Sequence, residues 1–172
     1  MRDLMNLVEN DYRGEHLAPD SAGGAPLYNL TSNEIYPPDV YSSVGHSYYG
    51  EGYSNAFHQC MSYKGHPNRV VTIYRAVPSD LVRPKINVGD WVSINRAYAK
   101  EHGVSVLNGK YKIISMTVYA RDIYTDGNSL EEWGYDPQPY ISRENENRIR
   151  VSLGMLPVEQ ARAAAAARKS QS

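Results

Sequence analysis

Residues 70–78 read VVTIYRAVP. Alternation along an extended chain sends Val71, Ile73, Arg75 and Val77 to one face of the pleat. Three of these four are β-branched and apolar, which marks the face turned toward a core, yet Arg75 sits among them. A guanidinium cannot shed its charge. It must meet an anion or stay partly wet, because an unpaired buried charge is too costly. Its planar fork suits phosphate and carboxylate alike. On spacing alone two partners stand open, a structural ion pair with one of the 19 acids or a bound anion.

Working downstream, NVGD at 87–90 is a turn that leads into WVSI, a short strand at 91–94. Asn95 then caps a helix, RAYAKEH, that ends at Gly103. YKIISMTVYA at 111–120 is the longest strand candidate, β-branched and aromatic throughout. TDGN is a turn, SLEEWGYDP a carboxylate-rich loop or short edge, and RIRVSLG at 148–154 alternates as a strand that could close a sheet. From Pro157, an acid in the first turn (Glu159), an alanine run and Arg168–Lys169 predict a helix with almost no apolar face, a frayed or partner-dependent appendage.

Upstream, Ser54 caps a helix through Ala56, Phe57, Cys60 and Met61 to about Lys64, stopped by Gly65 and Pro67. The region 13–50 carries the turn chemistry of SAGGAP and YPPDV; an irregular stretch of that length is usually functional or poorly ordered. Residues 2–10 predict a short amphipathic helix with Leu4, Met5, Leu7 and Val8 on one side. Strands separated by short helices and long loops, without a regular strand–helix beat, predict an α+β fold with mostly antiparallel pairing. The expected organisation is one domain over 1–156 and an Ala-rich basic tail over 157–172.

Bulk properties narrow the function classes. A net charge of −1 offers no broad footprint for duplex nucleic acid, although local basic patches remain open. The single cysteine, Cys60, excludes an internal disulfide framework and suits a reducing cytoplasm. MRDLMNLVENDY has no apolar block of a signal peptide, and no window has the length of a membrane span, so a cytoplasmic location without a membrane partner is expected. His16, His46, His58, His66 and His102 occur singly, without paired ligand spacing, so no metal site is expected. Neither a phosphate-binding glycine loop nor a dinucleotide fingerprint is present. Cys60 falls on an apolar helix face and reads as a buried, inert thiol. Fifteen tyrosines against one phenylalanine suit half-wet clefts and stacking on flat ligands, or a shallow core.

The remaining chemistry is scattered: Arg75, Ser93 and the pair Glu131–Glu132. Ser93 ends a strand before a capped helix, where a hydroxyl can hold a ligand, steer a carboxylate or act as an extra cap. The glutamates precede Trp133-Gly134-Tyr135, and a carboxylate against aromatic surface can stabilise a sugar cation; two adjacent glutamates on a solvated turn are the plainer alternative.

The ordered set IYRAVP, INVGDWVSINRAYAKEHG and GNSLEEWGYDP, with the opening RGEHLAPDSAGGAPLYNLTSNEIYPPDVYS, resembles the ADP-ribosyltransferase-like domains of phage and mobile-element polyvalent proteins. These belong to the mono-ADP-ribosyltransferase superfamily with an Arg–Ser–Glu site, and the resemblance covers about residues 12 to 137. It implies a split β-sandwich of two small sheets whose cleft grips NAD as a substrate. It further implies that Arg75 holds the NAD phosphates and ribose, that Ser93 orients the catalytic glutamate, and that Glu132 is that glutamate, with Glu131 as the fallback. Tyr74, Trp91 and Tyr98 join Arg75 and Ser93 as NAD contacts on the same footing. The chain departs from the larger toxins at Val92-Ser93-Ile94, where they carry Ser-Thr-Ser, and at Leu130, where they carry Glu or Gln, so the acceptor is left open. The implied activity is NAD-dependent mono-ADP-ribosylation of a host or defence macromolecule. NAD hydrolysis and a non-catalytic, anti-CRISPR-like antidefence role are the alternatives.

Overall fold

The computed structural model describes residues 17–49 and 54–171; the helix expected at 2–10 and His16 lie outside them. Among the described residues there are six strands, β1 (Ala25–Pro26), β2 (Val70–Pro78), β3 (Trp91–Val92), β4 (Tyr111–Tyr119), β5 (Ile123–Thr125) and β6 (Trp133–Tyr135). Five helices accompany them, α1 (Gly45–Tyr49), α2 (Ser54–Ser62), α3 (Arg96–Val106), α4 (Arg143–Ser152) and α5 (Val158–Lys169). The fold is α+β, with one antiparallel sheet in the order β1-β5-β6-β3 and a second made of β2 and β4, an arrangement compatible with a split β-sandwich flanked by helices.

VVTIYRAVP forms β2 over its whole length and pairs with β4 from Val70↔Tyr119 to Pro78↔Tyr111. Its inward face behaves as alternation requires: Val71, Ile73 and Val77 are buried, while the Arg75 side chain keeps a quarter of its surface. The core lies between the sheets. Val71, Ile73 and Val118 enter it from the β2–β4 ribbon, and Val92, Ile123 and Trp133 from the four-stranded sheet. Among the described residues the sheets are joined by one backbone bridge, in which Tyr74 N–H donates to Ser93 O at 2.7 Å and Ser93 N–H to Tyr74 O at 2.9 Å.

Four expectations are corrected. The segment 17–49 is not a loose loop: it carries β1, two 3-10 turns and α1, and places the fully buried Leu27, Leu30 and Val40 in the core. Helix α3 does not stop at Gly103. That glycine faces Tyr111, whose ring lies where a Cβ would come within 2.5 Å, and the helix ends only before Asn108 and Gly109, both at positive φ. SLEEWGYDP is no edge, because β6 runs between β5 and β3.

RIRVSLG is helical, not a strand. Ser142 Oγ accepts the Asn145 N–H, Glu144 and Glu146 occupy the first turn, and Val151, an apolar member of the alternation, points outward at 59% exposure. Helix α5 is fastened to α4 where Val158 N–H donates to Asn147 Oδ1 and the Val158 side chain is buried; beyond it the helix is mostly exposed. No described helix is long and apolar enough to cross a membrane.

Candidate functional site

Ser93 stands where the two sheets meet. Its backbone bridges Tyr74 of β2, and the β3–β6 register (Trp91↔Gly134, Val92↔Trp133), carried one step further, sets Ser93 across from Glu132. Arg75 is the next residue along β2. Residues far apart in sequence thus converge because a strand end, a sheet junction and the turn before β6 share one place. The result is a cleft of about 310 Å³ lined by Tyr74, Arg75, Trp91, Ser93, Tyr98 and Glu132, with His102 of α3 on its wall.

The inward guanidinium has a resident partner. Arg75 Nη1 lies 2.7 Å from Asp90 Oδ1, and Asp90 is 2% exposed. The other oxygen, Asp90 Oδ2, accepts the Asn87 N–H at 2.8 Å, so the NVGD turn holds the acid in place. The structural ion pair left open by the sequence is therefore present. Nevertheless Arg75 remains a quarter exposed in the cleft, and a guanidinium has five N–H donors, of which this contact uses one.

Glu132 is positioned by α3. Tyr98 Oη donates to Glu132 Oε1 at 2.7 Å. The Tyr98 phenol is pushed up from its ordinary pKa, first by burial and then by its bond to Glu132 and the neighbouring carboxylates. The resemblance gives this positioning task to Ser93. Here Ser93 Oγ instead accepts the Asn95 N–H at 3.0 Å, beside the Asn95 cap on Ala97 N–H. The serine is in the cleft, but the hydroxyl bonded to Glu132 belongs to Tyr98.

Glu131 and Glu132 part company. Glu131 is 6% exposed, and among the described residues no group meets hydrogen-bond geometry at either of its oxygens. Burial pushes its carboxyl up to about 7, the Glu101 charge adds to this, and the nearby Asn95 amide pulls the other way. It lines a separate cavity of about 80 Å³ beside Tyr36, Tyr49 and Phe57. Of the two, only Glu132 lines the cleft.

The expected aromatic bracket is also rearranged. Trp133 is fully buried, donates its Nε1–H to Leu130 O at 2.9 Å and offers no face for stacking. Gly134 lies against the backbone of Pro19, where an added Cβ would fall 1.8 Å from the carbonyl oxygen. Trp133 therefore belongs to the core, and Trp91, half-buried, is the tryptophan of the cleft. Cys60 is fully buried and its thiol is pushed up chiefly by burial, which suits an inert core residue.

Asp90 and His102 were missed. Asp90 was legible only as turn chemistry, although its place one residue before a strand that meets β2 was a usable signal. His102 follows from Tyr98 by one helical turn, i to i+4, which puts both on one face of α3. No family model, no curated protein and no solved structure matches the chain.

Proposed function

We propose that the cleft binds NAD and that the protein transfers its ADP-ribose unit to a macromolecular acceptor, in the manner of the phage and mobile-element ADP-ribosyltransferase-like domains it resembles. One observation carries this: Arg75, Ser93 and Glu132, drawn from three separate segments, line a single cleft together with Tyr74, Trp91 and Tyr98. A volume of about 310 Å³ is at the lower end for small-molecule sites, which suits the nicotinamide–ribose end with the adenosine half extending beyond it.

In this mechanism Asp90 fixes the Arg75 guanidinium so that its remaining donors face the pyrophosphate without reorganisation. Trp91 and the tyrosines flank the nicotinamide. Glu132, held by Tyr98, bonds the ribose 2′-hydroxyl and stabilises positive charge as the bond from C1′ to nicotinamide breaks and its electron pair leaves with nicotinamide. An acceptor nucleophile then forms the new bond to C1′ and gives up its proton to solvent or a nearby base.

The test is NAD consumption by the purified protein with and without cell lysate. Transfer gives nicotinamide together with a mass increase on a lysate component. Nicotinamide release without lysate and without transfer gives an NAD glycohydrolase. No NAD cleavage under either condition contradicts the proposal and leaves the second reading, a non-catalytic antidefence protein acting by binding. That second reading has its own support in the Arg75–Asp90 pair, since an arginine already matched by a resident acid does not require a ligand.

A further inference from the structure

A second concavity, of about 570 Å³, lies between the segment 66–70 and helices α4 and α5, and it shares no lining residue with the cleft. Its walls carry four arginines, Arg69, Arg143, Arg150 and Arg162. The acids nearby are spent on one of them: Glu146 lies 2.7 Å from Arg143 Nη1 and Glu159 lies 3.9 Å from Arg143 Nε.

Arg150 is 5% exposed and has no carboxylate partner among the described residues. It donates to Leu156 O at 2.7 Å and to Gly65 O at 3.4 Å, and its Nη1 touches the His66 ring. Arg69 reaches only the Ser62 carbonyl, and exposed Arg162 meets no partner among the described residues. Four guanidiniums against two carboxylates leave two positive charges at one place, on a chain whose net charge is −1. His66 registers the same field: burial first, then Arg69 and Arg150, depress its pKa to about 4, so the ring stays neutral.

Two further features define the ligand chemistry. Guanidinium forks match the tetrahedral oxygens of phosphate. Tyr140, on the same wall, is 68% exposed, and the Arg121 guanidinium stands over its ring 5.9 Å from the centroid, so an accessible aromatic side chain lies among the cations. We propose that this groove binds a nucleotide, free or at the end of a single strand, with its phosphate on Arg69, Arg150 and Arg162 and its base against Tyr140. An acidic peptide would use the charge and leave the ring without a purpose.

The test uses the whole protein and a fluorescein-labelled, 5′-phosphorylated oligothymidylate of about eight residues, followed by anisotropy at about 50 and 200 mM KCl, a range over which counterion release weakens phosphate binding. The expected result is saturable binding that falls roughly tenfold across that range, as two to three phosphate contacts require. Arg162→Glu should weaken it about tenfold or more through lost and reversed charge, and Tyr140→Ala about fivefold or more through lost stacking. Both side chains are exposed, so neither substitution threatens the fold. Displacement by ADP marks a free nucleotide as the ligand, and resistance to ADP marks a strand end. Absence of binding at the lower salt overturns the proposal. So does binding that Arg162→Glu leaves intact, or binding that polyglutamate displaces while Tyr140→Ala has no effect. The measurement contains no NAD, so it stands or falls apart from the cleft.

Discussion

Arg75 and Arg150 are both set against the interior, and the protein satisfies them in opposite ways. Arg75 meets Asp90 at 2.7 Å, an acid that is 2% exposed and is itself tied to a tight turn. Arg150, at 5% exposure, meets only carbonyl oxygens and the His66 ring among the described residues. The first arrangement neutralises the cation and fixes its direction, which suits a cleft where a reacting bond must be aimed. The second keeps the charge and surrounds it with more of the same sign, which suits attraction of an anion without demanding one orientation. The two arginines are thus distinguished by the carboxylate beside them more than by their own burial.

That contrast can be broken or sharpened by substitution. The largest effect is expected in the cleft: Glu132→Gln should lower nicotinamide release by about 10² to 10³, or about 3 to 4 kcal/mol, through loss of a placed transition-state charge. Its thermal midpoint should stay close to that of the wild type, because Gln keeps an acceptor for the Tyr98 hydroxyl. Next, Arg75→Met leaves Asp90 buried without its cation and should cost about 3 kcal/mol or more in urea unfolding.

Glu131→Gln tests the neighbour that faces the other cavity. A folded pKa raised from 4.5 to about 7 means this side chain's contribution is fully present below about 4.5 and is lost as pH rises through 7. Glu131→Gln should therefore be the more stable protein at pH 8, by up to about 3 kcal/mol, and should show a flatter stability profile between pH 5 and 8. A variant less stable than the wild type at pH 8 contradicts a carboxylate whose charge is disfavoured by burial.

The smallest effect belongs to the groove. Arg150→Met orphans carbonyl oxygens but no charge, so it should cost about 2 kcal/mol, less than Arg75→Met. The reverse order in paired urea melts would undo the distinction between the two arginines.

Which parts of this were legible in the sequence follows from period and length. β2 and β4 were readable because nine residues hold several turns of a two-residue pattern, and because β-branched side chains fill it. β1 and β5, two and three residues long, carry no period at all and are set by their partners. α4 was misread because RIRV alternates by accident. Its cap at Ser142 and the acids of its first turn were the stronger signal.

In the site, a lone arginine within an apolar alternation pointed to Arg75. Ser93 and the Glu131–Glu132 pair stood out as leftover chemistry, and the resemblance chose Glu132 of the two; the sheet junction brings Ser93 and Glu132 to the same cleft. Asp90 was hidden by its own turn, since NVGD reads as turn chemistry with or without an ion pair. The Tyr98–Glu132 bond joins residues 34 apart through the packing of a helix against a sheet end, and no local pattern encodes it.

The question of whether Arg75 is a ligand-holding side chain or only the partner of Asp90 reduces to one substitution. Arg75→Lys keeps a positive charge for Asp90 but removes the planar fork, so the fold is retained while simultaneous, paired donation to Asp90 and a pyrophosphate is lost. Calorimetric titration of NAD into Glu132→Gln, in which turnover should be slowed enough to follow binding, should give a measurable affinity that falls about tenfold or more when Arg75→Lys is added, a loss typical of a charge-assisted hydrogen bond. Equal NAD binding by the single and double variants would contradict the central claim and reduce Arg75 to a structural ion pair.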